Sequence, residues 1–108
     1  MSDALETIRT VVAGNDVVLF MKGTADRPMC GFSNQVVQIL DHIGVDYRDI
    51  NVLADDAIRQ GVKDFANWPT IPQLYVKGEF VGGCDIVREM FQTGELKALL
   101  AEKGVAVA

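Results

Sequence analysis

The chain has 108 residues, 49% of them hydrophobic, which suffices for one compact core and is too short for two ordinary domains. Fifteen acidic against ten basic side chains leave a net charge of −5, with no basic stripe to meet a phosphate backbone, so nucleic acid is disfavoured as a partner. Val17–Met21, the longest uninterrupted apolar run of the first half, falls far short of a membrane span, and no basic stretch followed by an apolar one opens the chain; a soluble, cytoplasmic protein is expected, with no membrane partner.

Residues 3 to 13 place Leu5, Ile8 and Val12 at helical spacing, with Gly14 as a natural terminator. Val17–Met21 is a β-rich apolar run bounded by Asn15-Asp16 and Gly23, as expected of a central strand buried on both faces. From Gly31 to Ile43 the residues Val36, Ile39, Leu40 and Ile43 share one helical face, and Gly44 stops the helix. Residues 45 to 52 read as a second strand, parallel to the first across a helical crossover. Asp55-Asp56 then opens a helix that buries Ile58, Val62 and Phe65. Beyond Pro72, residues 73 to 76 and 79 to 81 are β-prone runs joined by Lys77-Gly78, a hairpin turn. Asp85 is a candidate cap for a helix through Phe91, and Thr93 for a last helix from Gly94 to about Glu102 with Leu96, Leu99 and Leu100 inward. A parallel unit followed by an antiparallel hairpin implies an α/β fold: a mixed four-stranded sheet flanked by helices on both faces, in one domain spanning residues 1 to 108.

Cys30 falls at the N-terminal edge of the second helix, where unpaired backbone N–H groups and the positive end of the helix dipole favour a thiolate. Lys22, just after the first strand, adds a cation nearby. The competing reading is a small, inert, buried hydrophobe. Ser33 stands where a C-x-x-C motif would carry its second cysteine, so no resolving thiol lies one turn away. A lone thiolate can still attack a mixed disulfide or bind a soft metal. The only other cysteine, Cys84, reads by position alone as a packed small residue, and Trp68 is balanced between loop anchor and site residue.

Met-Lys-Gly at 21 to 23, Cys-Gly-Phe-Ser at 30 to 33, Trp-Pro-Thr-Ile-Pro-Gln at 68 to 73 and Gly-Gly-Cys-Asp at 82 to 85 occur in the order and spacing of the monothiol, CGFS-type glutaredoxins. The resemblance covers nearly the whole chain and implies a thioredoxin-like fold. It also implies a glutathione site. Lys22, helped by Arg59, would pair with the glycine carboxylate of glutathione. Ile71 would offer main-chain hydrogen bonds to its backbone, in the manner of strand addition. Family members more often carry Phe at the position of Ile71, which a main-chain contact tolerates. Pro72 would be cis and face Cys30, the N–H groups at Cys84 and Asp85 would take the γ-glutamyl carboxylate, and Asp85 its amino group.

A 2Fe-2S cluster held entirely by thiolates needs four sulfur ligands, more than one chain supplies. The resemblance implies a bridged homodimer in which Cys30 of each chain and two glutathione molecules complete the set, with delivery of the cluster to apo iron-sulfur proteins and with BolA-type proteins as partners. Cys30 plus Cys84 from both chains also sums to four. The alternative function is enzymatic: reduction of protein-glutathione mixed disulfides with Cys30 as catalytic nucleophile and glutathione as resolving thiol.

Overall fold

The computed structural model describes residues 3–107. The elements run α1 (Asp3–Gly14), β1 (Val17–Met21), α2 (Gly31–Ile43), β2 (Arg48–Asn51), a 3-10 turn (Val52–Ala54), α3 (Asp56–Ala66), β3 (Gln73–Val76), β4 (Glu79–Gly82), α4 (Cys84–Thr93) and α5 (Glu95–Glu102). The strand order is β2-β1-β3-β4, with β1 parallel to β2 and antiparallel to β3, and β3 antiparallel to β4. This is the thioredoxin-like fold.

The sheet splits the core in two. Val17, Leu19 and Met21 of β1 point to one face, where they meet Val36, Leu40, Val87, Leu96 and Leu100 from α2, α4 and α5. Val18 and Phe20 point to the other, against Ile8 and Val12 of α1 and Val62 of α3. All five residues of β1 are buried, as its uninterrupted apolar sequence requires of a strand covered on both sides. Each large apolar side chain removed from water here contributes about 1.5–3 kcal/mol. The α1–α3 contact is close because Gly61 lacks a side chain: a Cβ there would lie 3.0 Å from Ile8 Cδ1.

Four boundaries differ from the sequence reading. Gly14 remains within α1, and Asn15 Nδ2 donates to Val11 O at 2.9 Å, giving that carbonyl a side-chain partner. β2 is shorter than residues 45 to 52. Asn51 accepts from Leu53 N–H and turns the chain into the 3-10 segment, while Val45 bridges to Val107 instead of extending the strand. The cap of α4 is Gly83, so α4 opens at Cys84; Asp85 lies inside its first turn and pairs with Arg88 at 3.2 Å. The cap residue of α5 is Gly94 in a left-handed conformation, though the Thr93 hydroxyl still accepts from Glu95 N–H at 3.3 Å. Asp55 caps α3 as expected, through Ala57 and Ile58 N–H. Lys77 and Gly78 both have positive φ, the geometry of the tight hairpin turn anticipated between β3 and β4.

This topology assembles the site. With Phe20 opposite Gln73 and Leu74 opposite Gly82, the end of β1, the start of β3 and the end of β4 share one edge of the sheet. The residues just beyond those three ends, Lys22, Pro72 and Gly83, therefore become neighbours.

Candidate functional site

A cleft of about 680 Å³ opens along that edge, lined by Lys22, Cys30 and Phe32 on one side, residues 68–72 below, and Gly83, Cys84, Asp85 and Ile86 opposite; Lys63 of α3 completes it. Cys30 is the N-cap of α2 in an extended conformation (φ −149°, ψ 135°), so the free N–H groups of the helix start lie beside its sulfur. The Ser33 N–H is the largest influence holding the Cys30 thiol below its ordinary pKa; partial burial opposes it, and Phe32 N–H, the Lys22 charge and the Ser33 hydroxyl add to the lowering. Ser33 is fully buried, and its Oγ accepts from Lys22 N–H at 3.1 Å. The serine in place of a second cysteine thus ties the first turn of α2 to the end of β1.

Cys84 differs in burial and in the direction of its pKa shift. It is 7% exposed, its Sγ donates to Gln35 Oε1 at 3.5 Å, and burial pushes its thiol pKa up, with Asp85 and Cys30 adding to the rise against the opposing charge of Arg88. Both cysteines are free thiols; the surroundings of Cys30 favour its anion and those of Cys84 disfavour it. No group of three or more His, Cys, Asp or Glu side chains among the described residues is placed to hold a metal ion.

The floor of the cleft, residues 68–72, is held from behind by Gln73, which the sequence reading placed in a strand and a motif without a structural role of its own. Gln73 is fully buried; its Nε2 donates to Trp68 O at 3.1 Å and Thr70 O at 3.2 Å, and its Oε1 accepts from Tyr75 O–H at 3.1 Å. The first two bonds tie residues 68–72 to the start of β3, the third anchors the Gln73 side chain within that strand, and the Ile71-Pro72 peptide bond is cis, as the resemblance implied. Trp68 forms a wall, its ring 5.5 Å from that of Phe80, and its buried Nε1–H has no partner among the described residues. Gly83 leaves little room for a side chain: a Cβ would sit 3.2 Å from Trp68 Nε1 and 3.3 Å from Pro72 O.

Of the residues singled out in the sequence, Lys22, Cys30, Ile71, Cys84 and Asp85 come together in the cleft. Arg59 does not line it; it is a surface residue 3.7 Å from Asp56, while Lys63, one turn further along α3, lines the cleft instead. The i to i+4 relation between the two was available from the sequence, but which of two cations on a helix reaches a cleft depends on the helix's rotation about its axis. A second cavity of about 530 Å³, lined by Asp16, Tyr47, Arg48 and Val105 among others, lies at the start of β1 and contains no cysteine.

A free, partly exposed cysteine capping a helix beside a cis-proline loop fits a thiol protein of the thioredoxin-like class, and comparison with known proteins narrows it. Residues 17–81 match the glutaredoxin family model. Over 99 residues the chain is 54% identical to a probable monothiol glutaredoxin 2 of Rickettsia typhi, covering 92% of this chain and 89% of that protein. It is 58% identical over 92 residues to the chloroplastic monothiol glutaredoxin-S14 of Arabidopsis thaliana, covering 85% of this chain and 53% of that longer protein. Among solved structures, a truncated Trypanosoma brucei 1-C-Grx1 superposes with a TM-score of 0.89 at 40% identity over 99% of this chain and 97% of that one. A buckwheat glutaredoxin-glutathione complex superposes at 0.83 and 30% identity, over 94% and 91%. The chain belongs to the glutaredoxin family, and its relatives along most of its length are the monothiol members.

Proposed function

We propose that the chain carries 2Fe-2S clusters: two copies share one cluster through their Cys30 thiolates, two glutathione molecules complete the ligand set, and the cluster passes to apo-proteins. The observation that carries this reading is the isolation of Cys30. Its thiol is stabilised as the anion and partly exposed, the position one turn on is a buried serine, and the nearest cysteine candidate is buried with a raised pKa. Sulfur of this kind suits iron-sulfur ligation, and no chain alone closes a four-sulfur site with it.

Glutathione fits the cleft by chemistry. Lys22 and Lys63, neither in an ion pair with a carboxylate among the described residues, suit the glycine carboxylate. The main chain at Ile71 suits the peptide backbone, and the α4 N-terminus at Cys84 and Asp85 suits the γ-glutamyl end. The buckwheat neighbour was solved with glutathione, which supports the same ligand here. Around the thiol, Met29, Phe32 and Ile86 leave apolar surface exposed, which suits contact with a second copy of the chain, with BolA-type proteins and with apo iron-sulfur proteins. Half the ligands being exchangeable small molecules, the cluster is one that can be handed on.

Anaerobic purification in the presence of glutathione, followed by visible absorption and sizing, tests the reading. A coloured species of twice the chain's mass is expected. A colourless monomer that rapidly reduces a glutathionylated substrate contradicts it. The ligand assignment is tested without glutathione: a cluster held by the wild type but lost in Cys84→Ser would transfer the second pair of ligands to Cys84.

A further inference from the structure

The segment between β1 and Cys30 is fastened from β2. Asn51 ends that strand opposite Met21, and its Oδ1 reaches two residues past its backbone partner to accept from Gly23 N–H at 2.9 Å, while also accepting from Leu53 N–H at 3.0 Å. Two residues earlier in β2, Asp49 Oδ2 accepts from Ala25 N–H at 2.8 Å. Gly23 is buried at φ +89°, where a Cβ would lie 2.4 Å from Arg27 O and 2.7 Å from Met29 N, so the chain passes this point only as glycine and in one direction. The loop closes on itself: Thr24 N–H donates to Arg27 O, Arg27 N–H to Thr24 O, and Gly23 bridges to Pro28.

Lys22 is therefore held between two fixed points, Met21 in the sheet and Gly23 on Asn51. Its own main chain grips both sides of the thiol. Its carbonyl accepts from Met29 N–H at 2.9 Å, immediately before Cys30, and its N–H donates to Ser33 Oγ at 3.1 Å, three residues after it. We propose that Asn51 is a positioning residue for the glutathione cleft, acting through the Lys22-Gly23 segment: it touches neither Cys30 nor the cleft, yet sets where the Lys22 ammonium and the Cys30 helix cap stand relative to one another. The proposal deepens the glutathione reading given above and rests on Lys22 being part of that site.

The test is a double-mutant cycle on binding of reduced glutathione, followed by NMR titration, with amide hydrogen exchange measured on the same proteins without ligand. Asn51→Ala should weaken glutathione binding about 5- to 10-fold in the wild type and less than about twofold in a Lys22→Gln background, because residues acting as one unit are not additive. Equal losses in both backgrounds overturn the proposal. Exchange at the Gly23 and Met29 amides of Asn51→Ala should rise about tenfold or more relative to the core amide of Leu19, and Asn51→Asp, which keeps the acceptor, should restore it. A rise shared equally by Leu19 would mean general destabilisation and overturns it too. If the wild type binds no glutathione, the ligand reading fails by itself, and exchange at Met29 still decides whether Asn51 holds the segment.

Discussion

At the residue scale the chemistry is concentrated in one sulfur and the groups aimed at it. The folded-state pKa of Cys30 is depressed, first by Ser33 N–H, so the thiolate's stabilising effect is present above the unfolded thiol pKa and is lost as pH falls through the folded value. Alkylation of Cys30 by iodoacetamide should therefore show a midpoint below the ordinary value of 9.0, and Lys22→Gln should move that midpoint upward. Cys84 should remain largely unmodified while the protein is folded, because it is buried and its thiol is pushed up. Ser33→Ala leaves the half-buried Lys22 N–H without its acceptor, and should cost about 1 kcal/mol in urea denaturation. Much of this was legible: the helix start at Cys30 and the cation at Lys22 follow from spacing alone. The double duty of Ser33 was not, because a side chain's hydrogen-bond partner eleven residues away depends on how α2 docks against the end of β1.

At the element scale the loop before β3 is the part that tertiary structure decides. Its carbonyls at Trp68 and Thr70 are satisfied by a side chain, Gln73, which a sequence pattern presents as an ordinary strand residue. Gln73→Leu preserves bulk but strips those acceptors of their donor. It should lower stability by about 1–3 kcal/mol in urea denaturation and loosen residues 68–72, measurable as faster amide exchange there. The α1–α3 contact makes an independent prediction. Gly61→Val forces a side chain into the space occupied by Ile8 and Ala4, and should cost about 1–3 kcal/mol without altering glutathione binding, since neither helix face concerned lines the cleft. Strand and helix identities were readable from periodicity throughout; the errors fell at ends. Asp85 shows why: an aspartate beside glycines resembles a cap, but the backbone at Gly83 had already started the helix, leaving the carboxylate to Arg88. Arg59 and Lys63 show the same limit, two cations on one helix separated by a rotation that the sequence does not state.

For the whole molecule, charge and topology act together. The chain is acidic overall, yet the cleft presents Lys22 and Lys63, so binding of an anionic tripeptide should weaken as salt rises, by titration at low and at physiological ionic strength. The mixed sheet brings Lys22, Pro72 and Gly83 from three distant stretches of sequence to one edge, and no helix among the described residues is long and apolar enough to cross a membrane. A mixed four-stranded sheet could be anticipated from a parallel unit followed by a hairpin; its order, with β3 beside β1, could not, and the cleft between the strand ends could be anticipated only through the resemblance. If each chain supplies one sulfur to a shared cluster and glutathione supplies the rest, the composition of the coloured species is fixed. The most direct measurement is the content of iron and glutathione per chain in the coloured species separated by size. One iron and one glutathione per chain in a dimer are expected, with colour lost in Cys30→Ser; a cluster in the monomer, or a coloured dimer free of glutathione, would contradict the shared ligand set.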